Sequence, residues 1–412
     1  MAHLVGGISS VGRALPDLDG VPFMTARSHG AHLWDAGDRR YVDTSLGFGG
    51  TVLGHAPPAV MEAAAAALRN GPLPAFAHAQ EEEAAAALAA TTGQLSQVVF
   101  VASGSEAVHL ACRIARRTTG RRRIAKFAAA YDGWYDDILF GAAGSGEATM
   151  TANQRPGNSA TVLLRYNDAE DIERLFAEHD DIAGVLIEPV LANAGCILPA
   201  AGYLQRLAAA ARRHGALVIL DEVLMGYRLH AGLTGLRLGL EPDLATVGKA
   251  IGSGVAVAAV VGTPAAMAPV ADGRVFRAGT YAGNPVACAA VVATMRMLAQ
   301  SDYAKLLDDG DNLRRAMERA FARVGIPFTT SGYGSVFGLW FASAAPADYR
   351  AATLAAQPEL SLRLHRELRR RGVLVMPSAF GRLYLSFAHD GAARAALLEA
   401  FTATAESWHS GG

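Results

Sequence analysis

Between about residue 97 and residue 300 the chain alternates short apolar runs with amphipathic stretches. Gln97–Ala102 (QVVFVA) is too short and too uniformly apolar for a surface helix and predicts a buried strand. Glu106–Thr118 follows with its apolar residues at helical spacing. Ile124–Phe127, Thr161–Leu164, Gly184–Ile187 and Ala216–Leu220 predict further strands, with helices at Asp168–Glu178 and Tyr203–Arg213 between them. Strands alternating with helices make βαβ units and a parallel sheet, so the fold class is α/β. Ligands of such sheets sit at the carboxyl ends of the strands, and chemistry is expected in the residues that follow each run.

The flanks carry a different pattern. Residues 1–45 begin glycine-rich and then predict a hairpin, HLWDAGDRRYVD, turning at Asp35–Asp38. Beyond about residue 300 come a helix (Tyr303–Val324), a strand near Ser335–Phe341 and a helix (Leu360–Arg371). Strands at Val373–Met376 and Leu383–Phe387 and a last helix from Gly391 complete an α+β lobe. The alanine-rich Met61–Leu68 and Glu81–Ala90 are good helix formers. The expected organisation is an N-terminal segment of a small domain (1–45), a large domain (46–298) and the rest of the small domain (299–412).

Composition narrows the function classes. With 412 residues, 51% of them hydrophobic, the chain can bury cores in more than one lobe. A net charge of -1 gives no overall field to draw nucleic acid or an anionic membrane. Cys112, Cys196 and Cys288 are odd in number, far apart and without CxxC, so neither a disulfide framework nor a zinc site is expected. The first residues lack the charged and apolar regions of a secretory signal, and no long uninterrupted apolar run follows. A soluble, cytoplasmic protein without a metal is expected. Only three of the 37 basic residues are lysine (Lys126, Lys249 and Lys305), so amine chemistry has few candidates.

Four strand-end segments carry candidate chemistry. The run before Asp221, in VILDEVLMGYR, delivers a carboxylate to the mouth of the sheet, where it needs a cationic partner. A protonated pyridine nitrogen is one such partner; an N-cap or an ion pair also accounts for Asp221 alone. Leu244–Val247 leads into Lys249 and a glycine-rich turn, KAIGSG. Apolar surroundings favour the neutral, nucleophilic amine, although a lysine there can also snorkel to the surface. Ser103-Gly104-Ser105 joins a strand to a helix, where backbone N–H groups and the helix dipole suit a phosphate. Gly279–Pro285 is a second glycine-rich loop ahead of a helix, and Tyr131–Trp134 offers aromatic faces that core packing equally explains.

Taken in order, these segments resemble the class III, fold-type I aminotransferases, which depend on pyridoxal 5'-phosphate, and within them the glutamate-1-semialdehyde aminomutase branch. The resemblance covers nearly the whole chain through SGSEAVHLACRIAR, YDGW, IEPVLANAGCILP, HGALVILDEVLMGYR, PDLATVGKAIGSG, GTYAGNP and GVLVMPSAFGRLYLSFAHD. It implies a large domain with a mostly parallel seven-stranded sheet between helices, a smaller α+β domain built from both termini, and a homodimer. It also implies that Lys249 forms the Schiff base and moves the proton, and that Asp221 pairs with the ring nitrogen. Val223 and Tyr131 would flank the ring, while Ser103, Gly104 and Ser105 would hold the phosphate. Glu188 and Asn193 would lie near the ring hydroxyl, and Thr280 would reach the partner subunit's phosphate. Arg13 matches the spacing of a substrate-carboxylate arginine, which points to amino acid and keto acid substrates.

The chain departs from this branch at three positions. Phe48 replaces a tryptophan, Asp132 a histidine, and Gly381, next to Arg382, a glutamate that positions substrate. These changes make the pocket less acidic and favour amino transfer over the aminomutase or racemase alternative, with Arg13, Phe48 and Arg382 as substrate contacts. Gly141–Asn158 resembles the mobile gate loop of the branch.

Overall fold

The computed structural model describes residues 3–146, 148 and 160–409. The expected gate loop lies largely outside the described residues. Three strands open the chain: β1 (Thr25–His29), β2 (His32–Asp35) and β3 (Arg40–Asp43). Seven more form the central sheet: β4 (Gln97–Val101), β5 (Arg123–Phe127), β6 (Thr161–Leu164), β7 (Ile182–Ile187), β8 (Leu217–Asp221), β9 (Leu244–Val247) and β10 (Ala258–Gly262). Four follow: β11 (Thr329–Tyr333), β12 (Val336–Trp340), β13 (Val373–Leu374) and β14 (Arg382–Tyr384).

The central order is β4-β10-β9-β8-β7-β5-β6. β10 runs antiparallel to both its neighbours, and the other pairings are parallel. Both faces are covered, as a parallel sheet requires. Alternate residues go to opposite sides: Ile124, Leu186 and Ile219 pack with helix Gly104–Thr119, while Ala125, Val185 and Leu220 join the main core. Helices Ala79–Ala89, Tyr203–Arg213 and Pro285–Ala299 contribute to that main core.

The hairpin of the N-terminal segment forms as β2 and β3, and β1 adds to it. The sheet is finished by β13, which pairs parallel to β3 through Val373 and Val42. Segments separated by more than three hundred residues therefore share one sheet. β11, β12 and β14 make a separate three-stranded sheet. The strand periodicity does not reveal β1, β10 or β11. β10, AAVVG, is a short apolar run of alanine and valine that equally suits a buried helix segment.

Candidate active site

Five strands running the same way deliver side chains to one edge of the sheet. Ser103 follows β4, Tyr131 follows β5, Glu188 follows β7, Asp221 closes β8, and Lys249 follows β9. Two of these meet through register, since Asp221 on β8 lies opposite Thr246 on β9. Asp221 Oδ1 accepts hydrogen bonds from the Thr246 hydroxyl at 3.0 Å and from the Val223 N–H at 2.9 Å. Both bonds fall on one oxygen, which leaves Oδ2 for another donor. Burial, then the nearby Asp132 charge, push the Asp221 carboxyl up to about 7.

Lys249 opens a short 3-10 turn with a left-handed backbone (φ 45°). Burial lowers its amine to about 8, with the positive charges of Arg382 and Arg228 acting the same way. Asp221 and Glu188 oppose them. Glu188 accepts the Tyr131 N–H on Oε1 at 2.9 Å, while its buried Oε2 has no hydrogen-bond partner among the described residues. Burial, then Asp132 and Asp221, hold that carboxyl well above the usual range. Tyr131 itself is 46% exposed, so its ring is not committed to the core.

Ser103 caps helix Gly104–Thr119 through a capping box with Glu106. The Glu106 carboxylate takes the N–H groups of Ala102 and Ser103, and the Ser103 hydroxyl takes that of Glu106. The N–H groups of Gly104 and Ser105 find no acceptor among the described residues. A Cβ at Gly104 would stand 2.8 Å from Val223 Cγ1, and one at Gly248 3.4 Å from the same atom. Val223 is thus wedged between the serine turn and the lysine turn, and Gly104 is what lets the serine turn come so close.

On another side, Arg382 donates to Asn193 Oδ1 at 2.7 Å and to the Tyr384 hydroxyl at 2.5 Å. Arg228, fully buried, lies 4.8 Å over the same Tyr384 ring and bonds the carbonyls of Leu224 and Gly49. Neither guanidinium has a carboxylate partner among the described residues. A Cβ at Gly381 would come 2.7 Å from the Ser378 carbonyl, so this loop does not accommodate a larger residue there without shifting. Gly12 packs against the Phe48 ring, where a Cβ would lie 3.1 Å away, and Arg13, the next residue, is exposed.

Thr280 stands apart from the carboxylates and the lysine. It lines a cavity of about 740 Å³ between β4, the start of helix Gly104–Thr119 and the loop 276–282. Ser103 and Ser105 also line that cavity, whereas Asp221 and Lys249 do not. Sequence reasoning assigned no role to Thr246, Tyr384, Arg228 or Lys126. Arg228 sits in the quoted VILDEVLMGYR segment, and Lys126 is one of only three lysines; those were the available signals. Among the described residues no group of three or more His, Cys, Asp or Glu is arranged to hold a metal, and no helix is long and apolar enough to cross a membrane.

This geometry has close parallels. The family model of class-III aminotransferases matches residues 16–388. A glutamate-1-semialdehyde 2,1-aminomutase from Thermomicrobium roseum is 37% identical over 392 residues, covering 93% of this chain and 91% of that protein. The crystal structure of an omega-transaminase from Sphaerobacter thermophilus superimposes with a TM-score of 0.90 at 32% identity, covering 98% of this chain and 94% of the other. A transaminase solved with pyridoxal phosphate (PLP) bound gives 0.88 at 29% identity, covering 100% and 96%.

Proposed function

The chain belongs to the class-III aminotransferase family, with PLP as its cofactor, and from that premise we propose that it moves an amino group from a carboxylate-bearing amine to a keto or aldehyde acceptor. The amine is an amino acid, with β-amino acids included, since the branch it resembles handles amines distant from the carboxylate. When bound, the cofactor supplies a carbonyl for the amine and a ring that takes up electrons as a proton leaves the adjacent carbon.

The residues present suit that group. Asp221 Oδ2, which takes no hydrogen bond among the described residues, is assigned to the ring nitrogen. The unclaimed N–H groups of Gly104 and Ser105, with the hydroxyls of Ser103 and Ser105, are assigned to the phosphate at the helix N-terminus. Val223 and Tyr131 flank the ring, and Glu188 and Asn193 lie toward its hydroxyl. Lys249, with its amine lowered to about 8, holds the cofactor and then carries the proton between carbon atoms. Arg13, Phe48 and Arg382 shape the substrate side.

The observation that carries the transfer reading is Arg382, a guanidinium whose charge acts on Lys249 and which is held by Asn193 and Tyr384, with no carboxylate ion-pair partner among the described residues. A transferase must seat donor and acceptor carboxylates in turn, and a planar guanidinium suits both. Incubating the holoenzyme with an amino donor alone tests this. Release of a keto product in amounts matching the cofactor supports transfer; no release from any donor overturns it. The 37% identity to an aminomutase favours the second reading, isomerisation within one substrate. Sustained turnover of glutamate-1-semialdehyde without a second substrate would establish it instead.

The active unit is proposed to be a homodimer in which Thr280 reaches the partner's phosphate. Trp134, Phe276 and Tyr281 support it: they line the cavity beside Ser103 while remaining 66–72% exposed. Apolar surface of this kind marks an interface. Sedimentation of the holoenzyme at micromolar concentration should give twice the mass of the chain.

A further inference from the structure

One buried ion pair lies outside the roles assigned above. Lys126 on β5 and Asp132 in the loop after it bury both side chains completely and meet at 2.9 Å. Lys126 Nζ also donates to the carbonyls of Ile138 at 2.5 Å and Ala130 at 3.4 Å. Among the described residues the Asp132 carboxylate accepts no well-aligned hydrogen bond. Burying two charges is seldom more stable than burying two apolar side chains, so stability does not account for the pair.

Its position gives a better account. Asp132 lies between Tyr131, whose N–H is bound by Glu188, and Gly133, where a Cβ would stand 3.0 Å from Ser105 Oγ. By gripping both Ala130 and Asp132, Lys126 pins the loop that touches the acid at the end of β7 and the serine turn after β4. The groups facing Asp132 are Lys126 from β5, Glu188 and Asp221 from the ends of β7 and β8, and Cys112 and Tyr135, with Arg116 beyond them. Its charge acts on both carboxyls next to the cofactor, raising their hold on a proton.

We propose that Asp132, fixed by Lys126, is a positioning residue for the cofactor site: the buried pair anchors the loop that sets the Tyr131 N–H on Glu188 and Gly133 against Ser105. The proposal rests on the cofactor reading given above. Nothing transfers to or from Asp132; it acts through the field at Asp221 and through the loop it anchors.

The test is a pH titration of the holoenzyme's visible cofactor absorbance, together with the rate of cofactor release on dilution. Asp132→Asn removes the charge but leaves Lys126 buried without a counter-ion and endangers folding. A double variant, Lys126→Met with Asp132→Leu, therefore removes both charges at similar volume. Loss of the Asp132 charge alone, in Asp132→Asn, should lower the spectral midpoint by about half a pH unit or more, whereas in the double variant the loss of the Lys126 charge opposes that shift. Cofactor release should quicken several-fold in both variants, and Asp132→Glu should keep it near the wild-type rate. A folded double variant that releases the cofactor at the wild-type rate would overturn the proposal. A wild-type protein that shows no cofactor absorbance at all would overturn the cofactor reading instead.

Discussion

Lys249 is reactive because its buried surroundings hold its proton less firmly than water does. With its amine lowered to about 8, the neutral fraction of the apo-protein rises through that pH, whereas an exposed lysine would need about two units more. The rate of cofactor attachment to the apo-protein should therefore climb from pH 6 to about 8 and then level, as read by stopped-flow absorbance. Lys249→Ala should lose covalent attachment, with no tryptic peptide tagged after borohydride treatment, and activity should fall by at least about 1000-fold. Arg382 makes a different prediction. Arg382→Ala removes a charge-assisted contact worth about 2 kcal/mol, so KM for a carboxylate-bearing donor should rise by about 10- to 100-fold. Turnover of an amine without a carboxylate should change little; an unchanged preference between the two would count against the assignment.

At the scale of the element, the site is made by strand ends and by two close approaches of backbone. The helix at Gly104 begins where it does because Ser103 and Glu106 close a capping box, while Gly104 itself admits Val223. Ser103→Ala should cost about 1 kcal/mol in denaturant unfolding. Gly104→Ala needs the Val223 wedge to move, since its Cβ would stand 2.8 Å away. Its expected effect is a rise in the cofactor Kd of about tenfold with little change in global stability. These devices differ in legibility. The apolar runs and the residues after them gave the strands and the candidate acid, lysine and serine turn, because strand ends are local features. Thr246 escaped notice, because a threonine in an apolar strand carries no signal until register sets it opposite Asp221. Tyr384 escaped likewise, since one of its guanidinium neighbours, Arg228, comes from a segment far away in the chain.

Across the whole molecule, the N- and C-terminal segments are tied together by β13 on β3 and by a buried histidine. His389 lies beside Asp43, His32 and His55, its Nδ1 2.9 Å from the Ser386 hydroxyl, and burial lowers it to about 4. Folded, it stays neutral until about pH 4, whereas the unfolded chain takes up that proton near pH 6.5. The depressed base thus contributes its full stability above pH 6.5 and loses it progressively as pH falls to 4, by about 3 kcal/mol in total. Denaturant unfolding of wild type and His389→Gln at pH 7.5 and pH 5 should show the wild type losing more stability on acidification; equal losses would refute this.

The sequence by itself determined the alternation of strand and helix, the segments that close each strand, and the residue types offered there, because periodicity and strand ends are encoded within a few neighbouring positions. The family, too, was readable from the ordered set of those segments. Only the tertiary structure decided which oxygen of Asp221 takes the Thr246 and Val223 bonds, that Val223 fits between two glycines, that Asp132 answers to Lys126, and that the guanidiniums of Arg228 and Arg382 share Tyr384. Each of those depends on register, burial or a long-range approach, and a buried charge acquires its meaning from the groups that surround it in space rather than from those beside it in the chain.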